Sequence, residues 1–141
     1  MADGKTLVLR IFEMVNSGDF GAAEELLQPG YVEHSPPFGD LHGVDGFKQV
    51  VTAFRTAFPD LRVRPVDIVQ EGELVAWRTT GTGTHSGPLM DVPPTGRQVR
   101  FSGVDMGRME GGKAAEHWSG NDNLGLLQQL GVVPPMGPGA G

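Results

Sequence analysis

The sequence predicts an α+β fold, because two kinds of apolar periodicity occupy separate parts of the chain. Apolar residues recur at helical spacing through the first 58 residues, whereas from Leu61 onward they alternate with a period of two. Helices that precede an antiparallel meander and stay separate from it are typical of this class. A strongly curved sheet of this kind, wrapped over the helices, would form a cone with an open mouth, and such mouths commonly bind ligands.

Three helices are predicted before the first strand, each from an apolar face and a residue suited to end it. The apolar faces cover residues 7–15, 23–27 and 47–58. The residues that end the helices are Gly18, Gly30 and Pro59.

Four strands are predicted to follow as a meander. The first, over 61–69, loses its alternation around Pro65, which indicates a bulge or a position at the sheet edge. The Gly- and Pro-rich stretch 81–97 is predicted to be a long ordered loop, and the turn 110–113 to join the last two strands as a hairpin. The other three strands cover 74–83, 98–110 and 114–120, and a short helix from 124 to 130 completes the fold.

Length and composition point to one domain. The chain has 141 residues, 38% of them apolar, which is enough for a core and short for two domains. We assign residues 1–133 to a single domain and expect the Pro- and Gly-rich tail 134–141 to be disordered.

The bulk chemistry excludes several functional classes. A formal net charge of −6 argues against a nucleic-acid partner. No apolar run reaches the ~18 residues that cross a bilayer, so no membrane partner is expected. The chain has no Cys, which excludes disulfides and thiolate nucleophiles. The N-terminus does not have the pattern of a signal peptide, so we expect a cytoplasmic location.

Asp122 is the first candidate for chemistry. It precedes the last helix, where Asp is a good N-cap. If the last strand keeps its alternation, Glu116, Trp118, Gly120 and Asp122 share one face, and His117 lies on the other. A carboxylate beside a Trp in a small barrel has its charged form disfavoured, which suits a general base or acid near neutral pH. Capping and catalysis both stay open at this point.

Asp105 and two histidines are further candidates. Asp105 lies in the middle of a strand, where Asp is uncommon. It could share the pocket, face solvent or pair with an arginine such as Arg78, and we favour an exposed, paired carboxylate. His34 and His85 lie where a strand or loop could reach the mouth of a cavity and hold a substrate oxygen.

Metal and cofactor motifs are not found in the sequence. The four His residues do not have the spacing of a metal site. The glycines of 39–46 follow no predicted strand, and those of 81–87 precede no helix, so neither stretch forms a nucleotide-binding loop. We therefore expect neither a metal nor a cofactor.

Four segments together resemble the SnoaL-like polyketide cyclases, the ester-cyclase branch of the nuclear-transport-factor-2-like superfamily. They are YVEHSP (31–36), GVDGFKQVVTAFRTAFPDL (43–61), GTGTHSGPLMDVPPTGR (81–97) and GGKAAEHWSGNDNLGLLQQLG (111–131). The last two, in this order and at this spacing, carry most of the specificity. The resemblance covers about residues 5–133 and implies a cone of curved sheet, packed on the helices around a deep pocket.

The resemblance also implies a reaction, in which a ring of an aromatic polyketide ester closes by intramolecular aldol condensation without metal or cofactor. One Asp, four residues after the Trp of a Glu-x-Trp element, acts as general acid/base in the family, and that position is Asp122 here. A single positioned carboxylate and a near-attack arrangement suit this chemistry. The residues expected to line the pocket or contact the substrate are His34, His85, Phe101, Asp105 and Trp118.

The expected ligand is therefore a hydrophobic, polyketide-like small molecule. Two alternatives stay open: a non-catalytic small-molecule-binding protein in which Asp122 only caps a helix, and a related hydroxylase, isomerase or epoxide hydrolase. The open sheet further predicts a homodimer or homotetramer, with Trp77 at the contact if it points outward.

Overall fold

Four helices and six strands form the structure, a computed structural model that describes residues 3–35 and 38–135. In chain order they are α1 (Gly4–Ser17), α2 (Ala23–Leu26), β1 (Leu27–Ser35), β2 (Gly39–His42), α3 (Gly43–Ala57), β3 (Arg62–Glu71), β4 (Leu74–Thr84), β5 (Gln98–Glu110), β6 (Lys113–Trp118) and α4 (Asn123–Gln129). The predicted α+β class is confirmed. The tail predicted to be disordered falls mostly on residues 136–141, which lie outside the described ranges.

The six strands form one curved, mixed sheet in the order β2-β1-β6-β5-β4-β3. Strands β1 and β6 run parallel, and the other neighbours are antiparallel. Helix α1 packs against β3 and β4, and helix α3 packs against β1. The helices therefore cover the inner face of the sheet, as the resemblance implied.

The hairpin β1–β2 was not predicted. Its register pairs Val32 with His42 and Glu33 with Leu41. The buried side chains of β1 near its end are Tyr31, Glu33 and Ser35, two of which are polar, so the apolar alternation that marks a strand is hidden. The chain between α2 and α3 thus contributes two strands to the sheet instead of remaining in the helical layer.

Strand β3 confirms the predicted irregularity at Pro65. It is the last strand of the sheet, and its register with β4 shifts between Val66 and Val69, where Asp67 has a φ of 53°. Two backbone groups on its free edge form hydrogen bonds with α1. The Asn16 side chain accepts from Val63 N and donates to Val63 O, both at 2.8 Å. An edge strand paired in this way presents fewer open backbone groups.

Two apolar clusters make up the core. One lies between the helices and the middle of the sheet and includes Leu7, Phe47 and Trp77. The other, around Phe58, lies beneath the loop 85–97, whose start is held by α3 because the backbone N–H groups of residues 86 and 87 donate to Ala57 O. The loop is thus packed against the end of a helix.

Candidate functional site

An apolar cavity lies between α1, α3 and the inner face of the sheet. Its volume is about 170 Å³, far more than the roughly 10–15 Å³ that one water molecule needs. Most of its wall is aliphatic and aromatic. The polar residues that line it come from β1, β4, β5, β6 and the following turn, and they are Tyr31, Glu33, Ser35, Thr79, Asp105, Arg108, Glu116, His117, Ser119 and Asn121.

His117 lies at the centre of this polar group. Its Nδ1 is 2.5 Å from Oε2 of Glu33, and its ring stacks on Trp77 with centroids 5.7 Å apart and planes 7° apart. Its Nε2 is buried, lies 3.9 Å from Oδ1 of Asp105 and has no hydrogen-bond partner among the described residues. Glu33 thus fixes one nitrogen of the ring, and the other lies on the side of Asp105.

Glu33 is held as a hydrogen-bond acceptor. It is 3% exposed, and its carboxylate accepts from the Tyr31 hydroxyl at 3.0 Å and from the Ser35 hydroxyl at 2.8 Å, besides the imidazole of His117. Burial and the neighbouring Glu33 charge raise the pKa of Tyr31 well above its ordinary value, so Tyr31 stays a neutral donor. These two residues orient Glu33 toward His117.

Asp105 is buried in the cavity wall, which corrects the prediction of an exposed, paired carboxylate. It is 5% exposed, and its Oδ2 accepts from the Thr79 hydroxyl while its Oδ1 accepts from Gly120 N at 3.0 Å. Arg78 lies on the opposite face of β4 and pairs with the exposed Asp67 at 2.6 Å. The prediction failed because alternation along β5 turns Asp105 inward, where neutral donors replace a counter-ion.

The pKa of His117 is raised above its ordinary value of 6.5 by two carboxylates. Burial acts first and favours the neutral ring, but the hydrogen bond and charge of Glu33 and the charge of Asp105 outweigh it, while the nearby His34 acts weakly in the opposite direction. His117 therefore keeps its second proton to a higher pH than an ordinary histidine does, and its Nε2 lies on the side of Asp105.

Asp122 caps α4 and does not line the cavity. Its Oδ1 accepts from Gly125 N at 2.8 Å, and the residue is exposed. The assumed alternation of the last strand fails because the pairing of β5 and β6 shifts between Arg108 and Met109. The side chains of Ala114 and His117 therefore point inward, whereas the carboxylate of Glu116 contacts His34 and Arg108 on the outer face. The structure therefore supports the capping role, and the catalytic role predicted for Asp122 stays a prediction.

The same shift places Trp118 on the outer face of the sheet, where it does not line the cavity. Its ring stacks on His34, with centroids 5.5 Å apart. His34 also faces outward, between Asp40 at 2.7 Å and Glu116 at 2.6 Å. The hydrogen bonds of Glu116 and Asp40 raise the pKa of His34. Neither residue lines the cavity, because the inward positions of β1 belong to Glu33 and Ser35, and the substrate contacts predicted for Trp118 and His34 stay predictions.

His85 and Phe101 have different outcomes. Phe101 lines the cavity, as predicted. His85 is fully buried outside it, under the loop 85–97, where Nδ1 contacts Thr95 and the ring packs on Phe58. Burial lowers the pKa of His85. It does not line the cavity, and the substrate contact predicted for it stays a prediction.

Sequence reasoning missed Glu33 and Thr79 and placed His117 on the wrong face. A signal was available in β1, where Tyr31, Glu33 and Ser35 alternate as an aromatic, a carboxylate and a hydroxyl on one face. No group of His, Asp or Glu residues in the described ranges is arranged to hold a metal ion. Within the same ranges, no helix is long and apolar enough to cross a membrane.

The comparisons with known proteins agree with this architecture. The sequence profile of the SnoaL-like polyketide cyclase family matches residues 5–130. Aklanonic acid methyl ester cyclase DnrD from Streptomyces peucetius is 33% identical over 141 aligned positions, which cover 94% of each chain. Nogalonic acid methyl ester cyclase from Streptomyces nogalater is 33% identical over 120 positions, covering 82% of this chain and 88% of that protein.

A solved structure is similar to this chain in fold as well as in sequence. The crystal structure of IdmH from Streptomyces antibioticus is 36% identical and superposes with a TM-score of 0.77, covering 91% of this chain and 98% of the other. A curved mixed sheet over helices around a cavity defines the nuclear-transport-factor-2-like class. Within that class, the chain belongs to the SnoaL-like polyketide cyclase family.

Proposed function

We propose that this protein closes a ring of a polyketide ester by an intramolecular aldol reaction, using Asp105 as base and His117 as acid. One observation carries the proposal: Oδ1 of Asp105 and the unpartnered Nε2 of His117 lie 3.9 Å apart on the wall of an apolar cavity. The names of the two methyl ester cyclases supply the substrate class. The ligand is thus a hydrophobic, polyketide-like ester.

The reaction begins with proton removal from carbon. Oδ1 of Asp105 takes a proton from a carbon between two carbonyl groups, and the electron pair of that C–H bond becomes part of an enolate. The enolate oxygen lies in a cavity from which the apolar wall excludes water. His117 can donate Nε2–H to a substrate oxygen there, which stabilises developing negative charge more strongly than it would in water.

Ring closure then forms the carbon–carbon bond. The enolate carbon attacks the carbon of a ketone in the same molecule, and the π pair of that C=O bond moves to its oxygen. This alkoxide takes the Nε2 proton of His117, and protonated Asp105 returns its proton to Nε2 to restore the resting state. Reactant and product have the same composition, so the proposed reaction consumes no co-substrate and requires no cofactor.

The apolar part of the cavity contributes by holding the substrate. Phe101 from β5 and Phe54 from α3 meet edge to face at its wall, with centroids 6.4 Å apart. Aromatic walls of this kind pack well against flat, conjugated molecules. A ligand held in a near-attack arrangement gains rate from orientation as well as from the base.

Turnover of two named esters tests the proposal. We expect the wild-type protein to convert aklanonic acid methyl ester or nogalonic acid methyl ester into a product of unchanged mass with a different absorbance spectrum. The variant His117→Gln should lose about 10²- to 10⁴-fold in kcat, because it keeps a hydrogen-bonding side chain but cannot carry the proton. The control is His34→Gln, which changes a histidine on the outer face and should keep wild-type turnover.

Three other results would each contradict part of the proposal. Equal turnover by the wild type and His117→Gln would remove His117 from the reaction. Tight binding of an ester without turnover would favour the alternative of a non-catalytic binding protein. Conversion to a product of different mass would favour the hydroxylase or hydrolase alternative.

A further inference from the structure

Thr79 connects the two residues that flank it in the cavity wall. Its hydroxyl oxygen is 3.0 Å from Nε1 of Trp77 and also contacts Oδ2 of Asp105. Trp77 and Thr79 lie two residues apart on β4, and Asp105 lies on the neighbouring β5. All three are buried, with 7%, 9% and 5% of their surfaces exposed. The hydrogen bonds of the Thr79 hydroxyl with Trp77 and Asp105 are therefore shielded from bulk water.

The direction of each hydrogen bond in this chain is determined by chemistry. An indole N–H can only donate, so Thr79 Oγ1 must accept from Trp77. The single hydroxyl hydrogen of Thr79 then points to its other neighbour, Oδ2 of Asp105. An oxygen that accepts a hydrogen bond is also a stronger donor, which strengthens the second bond.

A second donor holds the other oxygen of Asp105. Gly120 N–H donates to Oδ1 at 3.0 Å, and Gly120 can come this close because a Cβ at that position would collide with the carbonyl oxygen of Val104. The carboxylate is thus anchored at both oxygens by neutral donors. Neither anchor is His117.

This anchoring explains why an acid and a base so close together have not paired. His117 Nε2 is buried and unpartnered among the described residues, although Oδ1 of Asp105 lies only 3.9 Å away. A buried N–H without a partner is unfavourable, and a carboxylate free to rotate would close the gap to about 2.8 Å. The two anchors prevent that movement.

We propose that Thr79, oriented by Trp77, is a positioning residue that keeps Asp105 apart from His117, so that both remain available to a ligand. The inference rests on the proposed function for its catalytic consequence, but its structural claim stands without it. If Asp105 and His117 formed a direct ion pair, the base would share its charge and the acid its proton. A substrate would then have to break that pair before reacting.

The titration of His117 reports this arrangement directly. The charged or titratable groups near its ring are Glu33, Tyr31 and His34 on β1 and Asp105 on β5. Arg108 on β5 and Glu116 on β6 line the same cavity. The cavity residues of α1 and α3 that face it are apolar. Of these groups, only Asp105 is bound by Thr79. A change at position 79 therefore acts on His117 through Asp105.

The test compares Thr79→Val with Thr79→Ser and with Thr80→Val. Thr79→Val removes the hydroxyl at nearly constant shape, whereas Thr79→Ser keeps it. Thr80→Val makes the same chemical change one residue later, on the outer face of β4. Thr79→Ala provides a second variant without the hydroxyl in case the valine protein does not fold.

We expect NMR titration of the His117 imidazole to give a higher pKa in Thr79→Val and Thr79→Ala than in the wild type, because Asp105 moves closer. Thr79→Ser and Thr80→Val should keep the wild-type pKa. With an ester as substrate, Thr79→Val should lower kcat by about ten- to a hundredfold with little change in KM, and Thr79→Ser should restore it.

An unchanged pKa of His117 in both folded Thr79→Val and folded Thr79→Ala would overturn the inference. So would equal effects of Thr79→Val and Thr79→Ser. The NMR result does not depend on turnover. A wild-type protein that converts neither ester, but whose His117 responds as described, would contradict the proposed reaction and leave the positioning role supported.

Discussion

Among single residues, His117 combines a raised pKa with a position between two carboxylates, and this determines how its charge depends on pH. A raised pKa means that the folded protein binds the proton more tightly than the unfolded chain. The stabilisation is then complete below the unfolded pKa near 6.5 and is lost as the pH rises through the folded value. A reaction that needs the imidazolium should decline over the same upper range.

We therefore expect kcat to fall on the alkaline side at a pH above 6.5, and Glu33→Gln to move that fall to lower pH. The physical reason is that the variant keeps burial, which favours the neutral ring, while it removes the nearest charge. A pH–rate profile of both proteins measures the effect. Ser17→Ala, an exposed change on α1, serves as control. Identical profiles for wild type and Glu33→Gln would show that another group sets the alkaline limb.

The residues of the site also show how far the sequence could predict it. Phe101 lines the cavity as expected, because the alternation of β5 is regular around it. Asp105 was a candidate, but its environment depends on Thr79 and Gly120, which are distant in sequence. Asp122 was chosen from a pattern that continued through a bulge, and no local signal in Ala114–Glu116 marks that bulge.

At the level of elements, His34 joins three strands on the outer face. Its Nδ1 pairs with Asp40 on β2 and its Nε2 with Glu116 on β6, so it links the hairpin β1–β2 to the parallel strand beside it. Arg108 also contacts Glu116, at 3.3 Å. The hydrogen bonds of Glu116 and Asp40 raise the pKa of His34, so this stabilisation should be present at low pH and lost as the pH rises.

We expect His34→Gln to lower the free energy of unfolding by roughly 0.5–1 kcal/mol at pH 5.5 and by less at pH 8.5, since a partly exposed ion pair contributes little. Urea denaturation at the two pH values measures this. His42→Gln, which changes the histidine before α3, is the control. A loss that is the same at both pH values would show that the charge of His34 does not contribute.

The edge strand β3 depends on one side chain of α1. Asn16 satisfies both the N–H and the C=O of Val63, in a partly buried position. We expect Asn16→Ala to destabilise the protein by about 1–3 kcal/mol, because two backbone groups lose their partners. Gln28→Ala, which removes an exposed hydrogen bond to Glu110 O, should cost less. Equal losses in urea denaturation would contradict the role of Asn16 at the edge.

The elements differ in how well their boundaries could be predicted. Strand β5 was predicted at its observed bounds, and the bulge of β3 was indicated by Pro65, because alternation and its interruption are local signals. The hairpin β1–β2 was missed because its inward positions carry the polar groups of the site. The buried polar residues Glu33 and Ser35 thus interrupt the apolar alternation from which β1 would have been predicted.

At the scale of the whole molecule, the predicted oligomer stays a prediction, and its assumed contact changes. Trp77 points inward, with 7% of its surface exposed. The outer face of the sheet instead exposes apolar side chains, among them Val69 and Val104 at 63% each and Met106 at 37%. An exposed apolar area on a sheet is a common contact between copies of a chain.

We expect the protein to have a solution mass of two or four times 15.0 kDa, and Val104→Glu to reduce it, because a charge would be buried in the contact. Light scattering after size-exclusion chromatography measures the mass. Leu9→Glu places the same charge on α1, where Leu9 is 42% exposed, and should leave the mass unchanged. A wild-type mass of 15.0 kDa would rule out the oligomer under those conditions.

The overall architecture could be predicted, whereas the arrangement inside the cavity could not. Helical and alternating periodicities are enough for an α+β class, and the resemblance supplies the cone. The meeting of Glu33 from β1, Asp105 from β5 and His117 from β6 depends on a parallel pairing of β1 with β6, which no local pattern encodes. The arrangement of these three residues can therefore be seen only in the folded sheet and not in the sequence.

The most direct measurement is the turnover of aklanonic acid methyl ester by Asp105→Asn and by Asp122→Asn, compared with the wild type. Both variants replace a carboxylate by an amide of the same shape, and Asn is as good an N-cap as Asp. We expect Asp105→Asn to lose at least about 10²-fold in kcat and Asp122→Asn to keep wild-type turnover, because only Asp105 lies in the cavity wall. Loss of turnover in Asp122→Asn, with Asp105→Asn still active, would contradict the account and identify Asp122 as the base.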